Sequence, residues 1–95
     1  MTKTELLLTI LAEECAETAH RASKAIRFTP EEIQDGQNLT NAERIKYEFN
    51  DIVAVMEILQ EQEFFTSIVD RFAIERKKDK LRQYMEYSES LGVVI

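Results

Sequence analysis

The sequence is poor in residues that break helices or cross-link chains. It has two glycines, one proline and one cysteine in 95 residues, and the few breakers fall between long stretches that lack them. The single cysteine, Cys15, cannot form an intrachain disulfide, and nothing indicates an oxidising compartment. The apolar run from Leu6 to Leu11 is too short to span a bilayer, and no small-residue cleavage site follows it. We therefore expect a cytoplasmic protein without a membrane segment.

The sequence also lacks an excess of basic residues. It has 18 Asp+Glu against 12 Lys+Arg, a formal charge of −6. This balance argues against a general nucleic-acid binder, which would show a basic face. It is compatible with a small phosphorylated ligand, because a divalent cation can bridge an acidic protein and an anionic substrate.

The length of 95 residues indicates one domain that spans residues 1–95. A chain this short buries only about two-thirds of the surface that its unfolded form exposes, so its own core is marginal. Three helices of this size would leave apolar stripes uncovered. Self-association is therefore expected.

Hydrophobic periodicity predicts an all-α fold with three main helices. The first spans about Thr4 to Phe28, where inward residues recur every three or four positions: Leu7, Ile10, Leu11, Cys15, Thr18 and Ala22. The Thr-Pro-Glu-Glu sequence around Pro30 predicts a single turn after it. Residues 34–38 have the composition of a loop.

The second helix is predicted to begin at a capping box, Thr40–Glu43, and to run to about Glu61. Its apolar stripe has helical spacing: Ile45, Phe49, Ile52, Val53, Met56 and Leu59. An apolar loop is expected over residues 63–69. The third helix is predicted from Arg71 to Leu91, with Asp70 as its cap and Gly92 as its stop. Its inward residues would be Ile74, Leu81, Met85 and Ser88.

Two acids of the second helix lie on a face where charge is unexpected. With Ile45 at zero and a step of 100° per residue, Glu48 and Asp51 fall at roughly 300° and 240°. Val55 and Ile58 share this strip, at about 280° and 220°. A solvated run of charge is not normally laced with branched apolar residues. The strip is therefore predicted to be a second buried or interfacial face.

The first helix carries a similar strip, on which Glu14 and Glu17 project side by side at a spacing of three. Along the chain it is apolar, acidic, basic and then aromatic: Leu7, Ile10, Glu14, Glu17, Arg21, Lys24 and Phe28. Two acidic pairs on facing helices bring four carboxylates together, which is costly without a cation. All-oxygen ligation favours Mg²⁺, or Mn²⁺, over zinc. The residues alone leave a second interpretation open, in which Glu17 simply pairs with Arg21 one turn on.

Two motifs carry a resemblance to a known family. The stretches Glu13-Glu14-Cys15-Ala16-Glu17 and Glu48-Phe49-Asn50-Asp51 resemble the EExxE…ExxD signature of the MazG-like, all-α nucleoside triphosphate pyrophosphohydrolases. Three segments are similar to small phage and bacterial members and together cover roughly half of the chain: EECAETAHRASKAIRF, NAERIKYEFNDIVAVMEIL and KKDKLRQYMEYSESLG. The 30 residues between the two motifs are slightly more than the family usually has, and the excess falls in the loop.

The resemblance implies a helical bundle completed by homo-oligomerisation, as a homodimer or homotetramer. It also implies hydrolysis of an NTP or dNTP to the monophosphate and pyrophosphate. Four residues match the family's ligands for Mg²⁺, with Mn²⁺ as a substitute: Glu14, Glu17, Glu48 and Asp51. Glu13 matches the first acid of the signature, and with Glu14 it would orient or deprotonate the attacking water.

The phosphates of such a substrate need cations beside the acids. Four basic residues are expected to bind them: Arg21, Lys24, Lys77 and Lys80. The first two continue the acidic strip beyond Glu17, and the last two lie on one flank of the third helix. The competing interpretation is that all four are ordinary solvated residues. Asn50, inside the second motif, and Tyr84, on the same flank as the two lysines, are expected to contact the substrate.

Two other features of the first helix suggest different chemistry. Glu17-Thr18-Ala19-His20 is the ExxH unit of di-iron helical bundles, but those sites need it on two helices and His20 is the only histidine. An exposed or helix-packing histidine is expected instead. Cys15 has no evident base partner as a nucleophile, and a small buried side chain is expected there.

The non-enzymatic alternative is a helical nucleotide-binding or interaction protein that has the same fold without turnover. Converging carboxylates argue against it, because a pure adaptor has no use for them.

Overall fold

The computed structural model describes all 95 residues and contains three α-helices and no strand, which confirms the predicted all-α class. Helix α1 spans Lys3–Phe28, α2 spans Asn41–Glu61 and α3 spans Arg71–Ser90, each within one residue of the predicted bounds. None of the three combines the length and the apolar character that crossing a bilayer requires.

The predicted caps are present at the helix ends. The amide of Thr40 donates to Glu43 Oε1 at 3.0 Å, and the amide of Glu43 donates to Thr40 Oγ1 at 3.1 Å, which satisfies two amides that the helix leaves without partners. Asp70 Oδ1 accepts from the amide of Ala73 at 3.1 Å. Beyond α3, Gly92 has a φ of 78°, a left-handed conformation that costs glycine little.

The connection between α1 and α2 is fastened by one buried amide side chain. Asn41 is 1% exposed, and its Nδ2 donates to the carbonyl oxygen of Thr29 at 2.8 Å and to Glu32 Oε1 at 3.0 Å. The turn predicted at Pro30 lies within this connection. Both hydrogen bonds are partly buried, and through them Asn41 holds the start of α2 against the end of α1.

Helices α1 and α2 pack together and run in opposite directions. The end of α1 is bonded to the start of α2, while Glu14, in the middle of α1, lies beside Glu48 and Asp51, in the middle of α2. The buried apolar side chains of the chain all belong to this pair: Ala25, Val55 and Leu59.

The face of α2 that meets α1 is not the one that carries most of its apolar residues. Val55 is buried and Glu48 half-buried, whereas Phe49 is 55% exposed. The strip of α2 that carries Glu48 and Val55, predicted as a second buried or interfacial face, is therefore the face that packs against α1. Of the predicted stripe, Leu59 is buried in the core, whereas four other residues line an apolar groove of about 270 Å³, formed by α2, the segment after it and the start of α3. The groove residues are Phe49, Ile52, Val53, Met56, Ile68, Val69 and Ile74.

Helix α3 stands apart from the other two helices. No Cα atom of α3 lies within 8 Å of one in α1 or α2, and no residue of α3 is buried. The inward face predicted for it is wrong for the single chain, since Leu81 and Met85 are 45% and 61% exposed. Ile74 and Ser88 are half-buried. Ile74, at the start of the stripe, lines the groove on α2, while Leu81 and Met85 further along are left exposed.

The exposure predicted for two residues of α1, Cys15 and His20, can be compared with the structure. Cys15 is exposed, so the prediction of a buried side chain there is wrong. It follows Glu14, which faces α2, and one step of about 100° turns it towards solvent. His20, for which an exposed or helix-packing side chain is predicted, is exposed.

Candidate metal centre

Three carboxylates from two helices converge in the α1–α2 pair. Glu14 of α1 and Glu48 and Asp51 of α2 each offer an oxygen, and these oxygens lie within 4.8 Å of one another. The spacing of three places Glu48 and Asp51 one turn apart on the same side of α2. The antiparallel packing of α1 then brings Glu14 opposite both of them.

The cluster is electrostatically unfavourable for the carboxylate at its centre. Glu14 and Glu48 are half-buried, and Asp51 is exposed. Partial burial is the largest cause that raises the pKa of Glu14 above its ordinary value, and the neighbouring charges of Asp51, Glu48, Glu17 and Glu13 add to it in that order. Both causes disfavour the ionised form, so Glu14 gains from any cation that binds beside it.

No basic side chain of the chain neutralises this cluster. All three ion pairs of the structure lie within α3, far along the chain from the acids: Arg71–Glu75 at 2.8 Å, Lys78–Glu75 at 3.4 Å and Arg82–Asp79 at 3.2 Å. The converging carboxylates therefore have no counter-charge of their own.

The donor set fits a hard divalent cation. Carboxylate oxygens are the ligands that Mg²⁺ and Mn²⁺ prefer. Two ligands of one Mg²⁺, each at about 2.1 Å from the ion, lie at most about 4.2 Å apart. Oxygens already within 4.8 Å of one another reach that separation by small side-chain rotations. Three protein ligands would also leave coordination positions for water and for phosphate oxygens.

The other two acids of the first motif lie at the edge of this arrangement. Glu17 and Glu13 are both exposed and are not among the three converging carboxylates. Their charges nevertheless contribute to the raised pKa of Glu14. The structure thus brings together three of the four predicted ligands and leaves Glu17 beside them.

Arg21 is the one buried cation of the chain. It is 9% exposed, and its Nε and Nη1 atoms are buried without a hydrogen-bond partner. Seven residues after Glu14, it lies within about 20° of it around α1. A buried guanidinium without a partner is costly, and its planar donor fork suits phosphate. Of the four basic residues predicted to bind phosphate, Arg21 is the only one that is buried.

The remaining predicted contacts are more dispersed. The Nζ of Lys24 lies 5.3 Å from the ring centroid of Phe28, an interaction between a cation and an aromatic face. Asn50 is exposed on α2. Lys77, Lys80 and Tyr84 are exposed on α3, whose backbone approaches neither helix of the acidic cluster.

Comparison of the chain with models of known protein families, with curated proteins and with solved structures finds no significant match. The resemblance to the MazG-like pyrophosphohydrolases therefore rests on the motif residues of the sequence alone.

Sequence reasoning did not foresee how far two polar residues are buried. Asn41 was seen only as a position inside the capping box, and its role between α1 and α2 depends on a tertiary contact. Arg21 was placed on the correct strip, but its burial without a partner is visible only once α2 is packed against α1.

Proposed function

We propose that this chain is a Mg²⁺-dependent pyrophosphohydrolase, which cleaves an NTP or dNTP to the monophosphate and pyrophosphate. The observation that carries the proposal is the convergence of Glu14, Glu48 and Asp51 without any cation of the chain to neutralise them. A non-catalytic helical protein has no need for this arrangement, whereas hydrolysis of a phosphoric anhydride does.

The three converging carboxylates would hold the metal, and Glu17 would complete the set from the edge. Bound Mg²⁺ supplies charge compensation for the phosphates and a coordinated water with a lowered pKa; Mn²⁺ can replace it. Glu14, which is half-buried on α1 and faces Glu48 and Asp51, would orient that water. Glu13, exposed at the position before Glu14 on α1, would accept the proton.

Arg21 is proposed to receive the phosphates of the same substrate. Its buried Nε and Nη1 lack partners, and long side chains on a helix lean towards its N-terminus, which for Arg21 is the direction of Glu14 and Glu17. A triphosphate would satisfy both the acids, through the metal, and the guanidinium directly. Lys24 lies one turn further along, where it can interact with the distal part of the ligand.

Self-association is part of the proposal, as a homodimer or homotetramer that completes the helical bundle. Since α3 does not pack on the helices that carry the acids, its predicted ligands, Lys77, Lys80 and Tyr84, would contact a substrate in the assembled protein. Asn50, exposed inside the second acidic motif, would contact the substrate from α2.

The test is a product analysis with a panel of NTPs and dNTPs in the presence of Mg²⁺. We expect equal amounts of monophosphate and pyrophosphate from at least one nucleotide. Glu48→Gln should reduce the rate at least about 100-fold, because one ligand of the metal loses its charge. The matched control is Glu57→Gln, an exposed acid of the same helix outside the cluster, and it should be as active as wild type.

Other outcomes of the same assay would contradict specific parts of the proposal. Release of orthophosphate instead of pyrophosphate would contradict the reaction but leave the metal site. Equal inactivity of wild type and Glu48→Gln on every nucleotide would favour the non-catalytic binding protein.

A further inference from the structure

Two arginines of the α1–α2 pair lie one turn from the acids without forming an ion pair with them. Arg21 follows Glu17 by four residues on α1, and Arg44 precedes Glu48 by four residues on α2. At the same spacing, an arginine and a glutamate of α3 form an ion pair at 2.8 Å. No ion pair of the structure includes Arg21 or Arg44. Positive and negative charges are therefore separated along the two helices, although their spacing would allow neutralisation.

Arg44 is held by a neutral partner. It is half-buried, and its Nη1 donates to Gln34 Oε1 at 2.9 Å. The connection that contains Gln34 also contains three acids, Glu31, Glu32 and Asp35, and none of them forms an ion pair with Arg44. An amide oxygen satisfies one donor of the guanidinium but leaves its charge uncompensated. Arg44 can therefore exchange this partner for an anionic one.

Arg21 lacks even a neutral partner. It is 9% exposed, and its buried Nε and Nη1 atoms make no hydrogen bond. A buried charge without a partner is unfavourable, and an anion that reaches it removes this cost. This observation does not depend on the acids, and it points by itself to an anionic ligand.

Both arginines lie on the same side of the acidic cluster. Arg21 is seven residues after Glu14, and Arg44 is seven residues before Asp51. Each arginine is about 10 Å from that acid along its helix and within about 20° of it around the helix. Because α1 and α2 run in opposite directions, both displacements point towards the connection, residues 29–40. The strip therefore has an acidic end and a basic end, and the basic end lies nearer the connection.

We propose that Arg21 and Arg44 together bind the β- and γ-phosphates of the substrate, so that its phosphate chain runs from the acids towards the connection and its nucleoside extends the other way. This inference rests on the proposed function, to which it adds a second arginine and the direction of the substrate. A triphosphate with its bound cation compensates both ends of the strip. Two guanidinium groups match two phosphates, each through a planar fork of donors. A diphosphate offers only one phosphate beyond the first, so the arginine pair selects triphosphates.

The test is the binding of inorganic pyrophosphate to the full chain in the presence of Mg²⁺, measured by titration calorimetry. Pyrophosphate contains the two phosphates that the arginines bind and no nucleoside. Arg44→Gln should weaken its binding at least about 10-fold, the value of one charge-assisted hydrogen bond. Arg44→Lys keeps the charge without the planar fork and should fall between wild type and Arg44→Gln. The matched control is Lys46→Gln, which removes the same charge from an exposed residue of α2 about 160° from Arg44 around the helix, and it should bind like wild type.

Orthophosphate is the second probe, because it can occupy only one of the two arginines. Wild type should bind pyrophosphate more tightly than orthophosphate. In Arg44→Gln this preference should fall at least about 10-fold, since the variant retains a single arginine. Binding of Mn²⁺ alone should be the same in Arg44→Gln and wild type, because Arg44 belongs to the basic end and not to the metal centre.

Three results would overturn the inference: no binding of pyrophosphate to wild type at about 1 mM, equal affinities in wild type and Arg44→Gln, or equal losses in Arg44→Gln and Lys46→Gln. Far-UV circular dichroism reports whether Arg44→Gln keeps its helices, and Arg44→Lys carries the test if it does not. Turnover is not needed for any of these measurements. Pyrophosphate binding that depends on Arg44, without hydrolysis of any nucleotide, would contradict the proposed reaction and support the arginine pair. Hydrolysis that is unaffected in Arg44→Gln would contradict the pair alone.

Discussion

The α1–α2 pair and α3 are built from helices of comparable length, 26, 21 and 20 residues, but their side chains interact in opposite ways. The pair contains every buried residue of the chain and none of its ion pairs, while α3 contains all three ion pairs and no buried residue. The charges of α3 neutralise one another locally, at a spacing of three or four. The acids of the pair converge across two helices without neutralisation.

Helix α3 is stabilised mainly by interactions within the helix, whereas the α1–α2 pair is stabilised by contacts between helices. Ion pairs at this spacing stabilise an isolated helix by about 0.2–0.5 kcal/mol each, which is small, and α3 has little else within the chain. The pair is held by burial and by the hydrogen bonds of Asn41. It can therefore bear the unfavourable charge of the acidic cluster, which lies within the pair that holds every buried residue of the chain.

The largest expected difference between the two regions concerns buried apolar volume. Leu59 is 0% exposed, so Leu59→Ala should lower the free energy of unfolding by about 2–5 kcal/mol, through lost burial and a residual cavity. Phe72→Ala in α3, at a side chain that is 76% exposed, should change it by no more than about 0.5 kcal/mol. Chemical denaturation of both variants checks this. Similar losses would mean that α3 is packed as tightly as the pair.

A smaller difference is expected for a polar side chain. Asn41→Ala removes two partly buried hydrogen bonds and leaves the carbonyl of Thr29 and the carboxylate of Glu32 without this donor. The free energy of unfolding should fall by about 1–3 kcal/mol. The control is Asn50→Ala, an exposed asparagine of the same helix, with no more than about 0.5 kcal/mol expected. An Asn41→Ala protein as stable as the control would show that the connection does not hold α2 in place.

The smallest expected effect is a dependence of stability on pH. Because the pKa of Glu14 is raised in the folded chain, its contribution to stability is fully present at acidic pH. The loss begins near the ordinary glutamate pKa of about 4.3 and is complete above the raised value. In a chelator, the melting temperature of wild type should therefore fall relative to that of Glu14→Gln as the pH rises through this window.

Mg²⁺ should reverse the effect at neutral pH in wild type and have a smaller effect in Glu14→Gln. Parallel pH profiles of the two proteins in the chelator would contradict the unfavourable charge assigned to the cluster.

The difference between the two regions also explains what the sequence could predict. Helix bounds were predicted closely, because Thr40, Asp70 and Gly92 act within one turn of themselves. The convergence of Glu14 with Glu48 and Asp51 followed from spacing along each helix, once the two helices were assumed to face each other. Which face of α2 meets α1 did not follow, because periodicity finds two apolar faces and does not tell which neighbour covers which.

For the same reason the inward face of α3 was predicted but is absent from the single chain. The helical period indicates that Leu81 and Met85 lie on an apolar face that packs against another element. It does not indicate whether that element belongs to the same chain. The burial of Arg21 and the exposure of Cys15 likewise depend on how α1 is rotated against α2, which is a tertiary property.

The most direct test of the account is a titration of the protein with Mn²⁺, in which the free ion is followed by electron paramagnetic resonance. We expect one site per chain in wild type and in Glu57→Gln, and an affinity at least about 10-fold lower in Glu48→Gln and Asp51→Asn. Binding that is equal in all four proteins, or absent from wild type, would contradict the assignment of Glu14, Glu48 and Asp51 as a divalent metal site.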